Sequence, residues 1–149
     1  MTLLASTFRI KGFDETCSKY YDCIRRVMLE SPDHSIEVVL DYNYELYPAL
    51  KTHAQSVELR FVTQLNVDAE SIRADDAAYN PRLPELLERG VPGLNYAMHG
   101  TVFEFKAEEE RVSIYTSFGG LICKLTAPQA VAKEFRFGMK LYLFCCNTL

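Results

Sequence analysis

The chain has 149 residues, 48% apolar and 24% charged, with 16 Lys and Arg against 20 Asp and Glu for a formal charge of −4. That balance suits one globular domain with a real core, and it argues against a protein that grips nucleic acid mainly through phosphates, though not against a local basic patch. No apolar run approaches the roughly 20 residues of a bilayer span, and MTLLAS is too short for a secretory apolar core, so a soluble intracellular protein without a membrane partner is expected.

Residues 3 to 10, ending in Phe8 and Ile10, read as a first strand before the turn GFDE. YYDCIRRVMLE reads as a second, with Tyr21, Cys23, Val27 and Leu29 as one face. After a turn at SPDH, HSIEVVLDY alternates Ile36, Val38 and Leu40 with Glu37 and Asp41, so residues 20 to 41 predict a hairpin. SVELRFVTQL has the clearest period of two: Val57, Leu59, Phe61 and Leu65, with Thr63 in the same phase, alternate with Glu58, Arg60 and Gln64. Residues 66 to 93 break the pattern. Their acids, prolines and turn formers predict one long loop, within which LPELLERG can hold one or two helical turns ending at Gly90.

The second half returns to strands: NYAMHGTVFEF, a charged turn at AEEE, RVSIYTSF, GGLICKLT and GMKLYLFCC. Gly100 lies inside its strand, where a residue without a side chain marks a bulge or the close approach of another backbone, and the face taken by Phe103 and Phe105 is left open. Gly119 and Gly120 are flanked by strand sequence, so they predict a tight hairpin turn rather than a phosphate-binding loop at a helix N-terminus. Tyr115 and Ser117 then share one face of the incoming strand, and Leu121, Cys123 and Leu125 one face of the outgoing strand. In the last strand Tyr142, Phe144 and Cys146 oppose Met139, Leu141 and Leu143. Both faces are apolar, so one meets the core and the other a partner or residues 83 to 94. Eight or so short strands and no internal repeat give an all-β barrel or sandwich, closed at least in part to hide its edges.

Candidate chemistry is sparse. Cys17, Cys23, Cys123, Cys145 and Cys146 have no CxxC spacing, and adjacent strand residues point to opposite faces, so buried reduced thiols are expected rather than a metal or redox site. His34, His53 and His99 lack metal spacing, no GxSxG supplies a nucleophile, and the acids at Asp75-Asp76 and Glu108 to Glu110 fall in turns. No cofactor is expected. Nucleic-acid binding would use exposed aromatics with cations along a strand, for which Tyr96, Phe103, Tyr115 and Phe118 with Arg111 and Lys124 are the candidates. The same rings can equally fill a core.

Several stretches, in order, resemble the common small subunit, number eight, of the eukaryotic nuclear RNA polymerases I, II and III. IEVVLDYNYELYP is similar to that family's strand ending in Leu-Asp-x-Asn and running on to Tyr-Pro, and VELRFVTQL to the strand that follows. Tyr79-Asn80-Pro81 matches the end of its acidic loop, and Tyr96-Ala97-Met98-His99-Gly100 its Tyr-x-Met-x-Gly strand. Ser113 to Leu121 resembles its Tyr-x-Ser-Tyr-Gly-Gly-Leu hairpin, followed by Lys124-Leu125 and Leu141-Tyr142-Leu143. Phe118 departs from the usual Tyr, Cys145 and Cys146 replace basic residues, and PRLPELLERGVPG is longer and more apolar than the usual connection. The resemblance implies an eight-stranded antiparallel barrel akin to joined oligonucleotide-binding (OB-like) half-folds. It also implies a nuclear location, with the nucleolus where polymerase I is concerned, and a non-catalytic assembly role on the largest subunit among other polymerase subunits. Direct nucleic-acid contact and homo-oligomerisation are not expected. The residues taken to meet the partner are Tyr115, Phe118, Gly119, Gly120, Leu121, Tyr142 and Phe144, the last two because their strand face needs a cover.

Overall fold

Period-two sequences with one apolar face must pair and then hide that face, and in this chain eight strands do both by closing on themselves. The computed structural model describes residues 1–14, 23–48, 56–76 and 80–147. The barrel strands are β1 (Thr2–Asp14), β2 (Ile24–Glu30), β3 (Glu37–Asn43), β4 (Ser56–Val62), β7 (Leu94–Glu108), β8 (Arg111–Phe118), β9 (Leu121–Pro128) and β10 (Lys140–Asn147). Between β4 and β7 lie the short strands β5 (Gln64–Val67) and β6 (Glu70–Arg73) and the helix α1 (Leu83–Gly90); a single turn, α2 (Gln129–Ala132), precedes β10. The strand order is β1-β2-β3-β9-β8-β7-β10-β4, closed by antiparallel pairing of β4 with β1, and β5 and β6 form a separate hairpin.

The expected barrel, its antiparallel pairing and the hairpin of β2 with β3 are all present. Val27, Leu29, Val38, Leu40, Leu59 and Phe61 fill the interior as their alternation requires. The turn between β2 and β3 is held by Asp33, whose carboxylate accepts bonds from the Ser31 hydroxyl (2.7 Å), the Ser35 hydroxyl (2.7 Å) and the Ser35 N–H (3.1 Å). These bonds draw the Asp33 pKa down to about 2.

Some boundaries differ from the sequence reading. The first strand does not end at the GFDE turn but runs to Asp14, because a register shift between Ile10 and Gly12 lets β1 bend and keep pairing with β2. Cys23 does not join the Val27 and Leu29 face: it precedes β2 with φ 67. Tyr21, Cys17, His53 and Tyr79 lie outside the described residues. The VELRFVTQL strand ends at Val62, since the Thr63 N–H turns aside to the Met1 carbonyl at 2.9 Å, and Leu65 belongs to a new strand that begins at Gln64.

The largest correction concerns residues 66 to 93. Among the described residues they are not one loop: they hold most of the β5–β6 hairpin and the whole of α1. LPELLERG is the expected helix, with Pro84 in its first turn and Leu86 and Leu87 on its buried side. These leucines pack with Val67, Ile72 and Val91 against Val62, Tyr142, Phe144 and Cys146 to form a second apolar cluster outside the barrel. Strand β10 is therefore buried on both faces, Leu141, Leu143 and Cys145 inward and Tyr142, Phe144 and Cys146 outward. Cys145 and Cys146 do point to opposite sides, as adjacent strand residues must.

Candidate docking surface

The glycine pair is a turn by necessity. Gly119 and Gly120 have φ of 63° and 100°, and Phe118 pairs with Leu121 across them, so the loop has two residues with both central φ values positive. That is the type I′ geometry that follows the twist of the flanking strands. The Gly120 N–H donates to the Ser117 hydroxyl at 3.2 Å, and nothing lies within 4 Å of a β-carbon at either position. The turn is thus both conformationally demanding and open on the outside.

Strand parity then decides which neighbours are available. Ile114, Thr116 and Phe118 point inward, and Tyr115 and Ser117 outward. Phe118 is 5% exposed and belongs to the barrel core, which corrects its assignment to the partner-binding set. Tyr142 and Phe144 are likewise removed from that set, because α1 and its neighbours cover them: they are 8% and 1% exposed. Leu121 is half-buried against the core and Tyr115 half-buried on the outer side, leaving Gly119 and Gly120 as the expected residues most open to solvent.

The outer wall around Tyr115 gathers apolar side chains on a barrel exterior, with Lys124 set between two of them. Val39 on β3 pairs with Lys124 on β9, which pairs with Tyr115 on β8; Ile122 pairs with Ser117 beside them. Val39 and Ile122 are only half-buried. Phe103 is added by a bulge: the β7–β8 register shifts between Val102 and Glu104, which leaves Phe103 unpaired and turns its ring outward, 40% exposed and 6.2 Å from the Tyr115 ring. Gly100, three residues earlier, has the other role foreseen for it, the close approach of a backbone: a β-carbon there would lie 2.3 Å from the Ser117 carbonyl oxygen.

Charge surrounds this centre. The ammonium groups of Lys106 and Lys124 lie 5.6 Å and 6.0 Å from the Tyr115 ring centroid and hold it from two sides. Lys106 meets Glu104 at 4.0 Å, Lys124 meets Glu108 at 3.5 Å and Arg111 meets Glu37 at 3.8 Å. A hydrogen bond from Ser113, then the charges of Lys124 and Arg111, hold the Glu108 carboxyl below its usual range. An apolar centre within a balanced ionic rim is the anatomy of a protein interface.

The motif residues of the resemblance serve the frame beneath this wall. Backbone pairing of β3 with β9 stops at Leu40 opposite Cys123. Beyond it the Asp41 side chain takes over, accepting the Ile122 N–H at 3.1 Å while Arg26 donates to both carboxylate oxygens at 2.7 Å and 3.3 Å. Asn43 accepts from the N–H groups of Glu45 and Leu46 at 2.9 Å and 3.2 Å, which starts the turn toward Tyr47.

Among the described residues no reaction site assembles, and no three His, Cys, Asp or Glu side chains could share a metal ion. Cys123 is fully buried and its pKa pushed up to about 12, and burial raises Cys145 further, so these thiols stay protonated. His99 is occupied with the Ala74 carbonyl at 2.7 Å, and the Asp75 carboxylate with Arg73 at 3.0 Å. Of the four rings considered for base stacking, Phe103 and Tyr115 are neighbours, but Phe118 is inside, and Tyr96 stacks on Tyr47 at 5.4 Å with its hydroxyl accepting the Asn43 N–H.

Residues 5–146 match the family described as RNA polymerase Rpb8. The chain belongs to that family. It is accordingly a non-catalytic subunit of nuclear DNA-directed RNA polymerase. The Rpb8-family chain is similar to the Caenorhabditis elegans protein named probable DNA-directed RNA polymerases I, II, and III subunit RPABC3, with 27% identity covering 95% of this chain and 93% of the relative. The Dictyostelium discoideum protein named subunit rpabc3 of the same three polymerases is 24% identical over 95% of this chain and 94% of its own. The Schizosaccharomyces pombe RPABC3 is 26% identical over 80% of this chain and 77% of its own. Among solved structures, the molybdate-binding protein ModG aligns with 97% of this chain and 89% of its own at a TM-score of 0.32 and 12% identity, too loose a match to carry anything about this Rpb8-family chain.

Of the apolar residues on this candidate surface, Val39 and Ile122 were missed in the sequence. Their signal was parity: each is an apolar residue in the outward phase of its strand.

Proposed function

We propose that the chain is an assembly subunit shared by nuclear RNA polymerases I, II and III, docked on the largest subunit through the outer wall of β3, β9, β8 and β7. The observation that carries this reading is the apolar group of Val39, Ile122, Tyr115 and Phe103 on a barrel exterior, the first three half-buried and Phe103 exposed, with Lys124 between Val39 and Tyr115 and paired charges around them. The names of its nematode and slime-mould relatives, which give all three polymerases, support the shared role and a nucleolar share of the protein. The type I′ turn at Gly119 and Gly120 leaves an open border on which a partner backbone can lie.

The turn geometry governs the test. Valine at both glycines would disturb the hairpin itself, so loss of incorporation would say little about contact. Tyr115→Glu with Ile122→Glu instead places charge at the apolar centre while leaving the turn alone. The double variant should co-purify with the largest subunit at least about tenfold less, with an unchanged far-ultraviolet spectrum. Normal recovery would sink the docking face. Recovery of the wild-type chain with the largest subunit of only one polymerase would sink the shared role.

A further inference from the structure

The segment from Gln129 to Lys140 lies outside the proposed docking wall, and its charge is unlike that of the rest of the chain. Lys133, Arg136, Phe137 and Lys140 are all exposed. Phe137 is 75% exposed, more than any other large apolar side chain among the described residues. Lys133, Arg136 and Lys140 make no ion pair among the described residues. Every other described Lys or Arg has one, except Arg25, which lies over the rings of Phe13 and Tyr44. A chain with a formal charge of −4 thus leaves three cations without an ion pair within its residues 133 to 140, of which Lys140 stands near the Asp75 carboxylate and, after Arg73, helps hold its pKa down.

The segment is also held in place. Phe135, in the core, anchors one side, and Gly138, at φ 81, turns Phe137 outward. The Gly138 N–H donates to the Val102 carbonyl at 2.8 Å, and the Val102 N–H to the Met139 carbonyl at 2.9 Å. Phe137 therefore stands on a turn pinned to β7 and needs little ordering on contact. A cleft lies on each side. One, about 310 Å3, runs between Arg73 and Asp75 on the β5–β6 side and Gly138 to Lys140; the other, about 300 Å3, lies between Phe105, Val112 and Lys133.

We infer that this segment docks an acidic linear stretch of a partner protein, which sets an apolar side chain in each cleft and its carboxylates against Lys133, Arg136 and Lys140. Charge complementarity chooses this occupant. A nucleic-acid strand fits less well, because among the described residues Phe137 has no second ring beside it to continue a base stack. The site is separate from the Tyr115 wall, so either assignment can fail while the other stands.

The test is a selection of random peptides on the immobilised full-length chain, followed by anisotropy titration of the enriched peptides. Expected winners carry several Asp or Glu and two aromatic or aliphatic residues. Their affinity should fall about tenfold or more in the Lys133→Glu, Arg136→Glu, Lys140→Glu triple variant and again in Phe137→Ser, and weaken with salt. Thermal melting checks that each variant is folded, and the corresponding Gln triple variant replaces the Glu one if the latter melts early. The inference is overturned by no enrichment, by enrichment of basic or uncharged peptides, by folded variants that bind like wild type, or by an oligothymidylate that binds more tightly than the acidic peptides.

Discussion

Gly100→Ala adds one carbon where the barrel has no room. The new β-carbon would lie 2.3 Å from the Ser117 carbonyl oxygen, 2.9 Å from its carbonyl carbon and 2.6 Å from Cδ1 of Phe118. Two of those three atoms are backbone, so rotating a side chain cannot relieve the clash. Strands β7 and β8 must part where Thr101 pairs with Ser117 and Val102 with Thr116, and Phe118 must leave its place in the core. Overpacking a core commonly costs 1–3 kcal/mol, and a clash with backbone belongs at the upper end, so about 3 kcal/mol is expected. In a chain of this size that lowers Tm by roughly 6–12 °C. Urea unfolding followed by far-ultraviolet circular dichroism reads the difference. Gly119→Asn is the control, because Asn tolerates the left-handed conformation and the space outside the turn is empty, and it should cost no more than about 0.5 kcal/mol. If Gly100→Ala falls within about 0.5 kcal/mol of wild type, the close approach of β8 is not what a glycine at 100 serves.

Leu86, fully buried between α1 and β10, should cost about 2–5 kcal/mol when replaced by Ala, with new binding of an apolar dye as Tyr142 and Phe144 are uncovered. Asp41→Ala removes the acceptor of the Ile122 N–H and the carboxylate that pairs with Arg26, and should destabilise by about 1–3 kcal/mol, with amide exchange quickening first at Ile122. The Asp33 pKa is depressed in the folded chain, so its contribution is present in full above the unfolded value of 3.8 and is lost as pH falls toward about 2. Across that window Asp33→Asn should show a shallower fall of the urea midpoint than wild type, and an unchanged slope would remove the carboxylate from the account.

The barrel was readable because its strands carry their burial in period two: Val57, Leu59 and Phe61, or Val38 and Leu40, need no knowledge of the rest of the chain. Residues 64 to 73 were not, although Leu65 and Val67 alternate with Gln64 and Asn66 and a turn at Asp68 leads to Ser71, Ile72 and Arg73. Four-residue strands offer two inward positions each, too few to stand out among acids, and the partner they cover is more than sixty residues later on β10. Position in the sequence also misled at Phe118. It was grouped with the glycines because it adjoins them, whereas parity with Ile114 and Thr116 had already put it inside.

The two apolar outer faces of this barrel are treated differently, and the difference bears on function. The outer side of β10, with Tyr142, Phe144 and Cys146, is sealed by the chain itself through Val67, Ile72, Leu86, Leu87 and Val91. The outer side of β7, β8 and β9, with Phe103, Tyr115 and Ile122, has no such cover among the described residues, only charges held in pairs around it. A chain able to spend a hairpin and a helix on hiding one face has no physical obstacle to hiding a second. Left uncovered, the second would favour self-association unless some other surface normally occupied it. The paired rim fits such occupancy, since Glu104, Lys106, Glu108 and Lys124 keep the border hydrated and cost little desolvation while the centre closes on a partner. Burial of Tyr115 in the assembled polymerase, seen as protection of its ring from iodination in the complex but not in the free chain, follows directly. Equal labelling in both states would mean that the uncovered face stays in water and that the polymerase holds this subunit elsewhere.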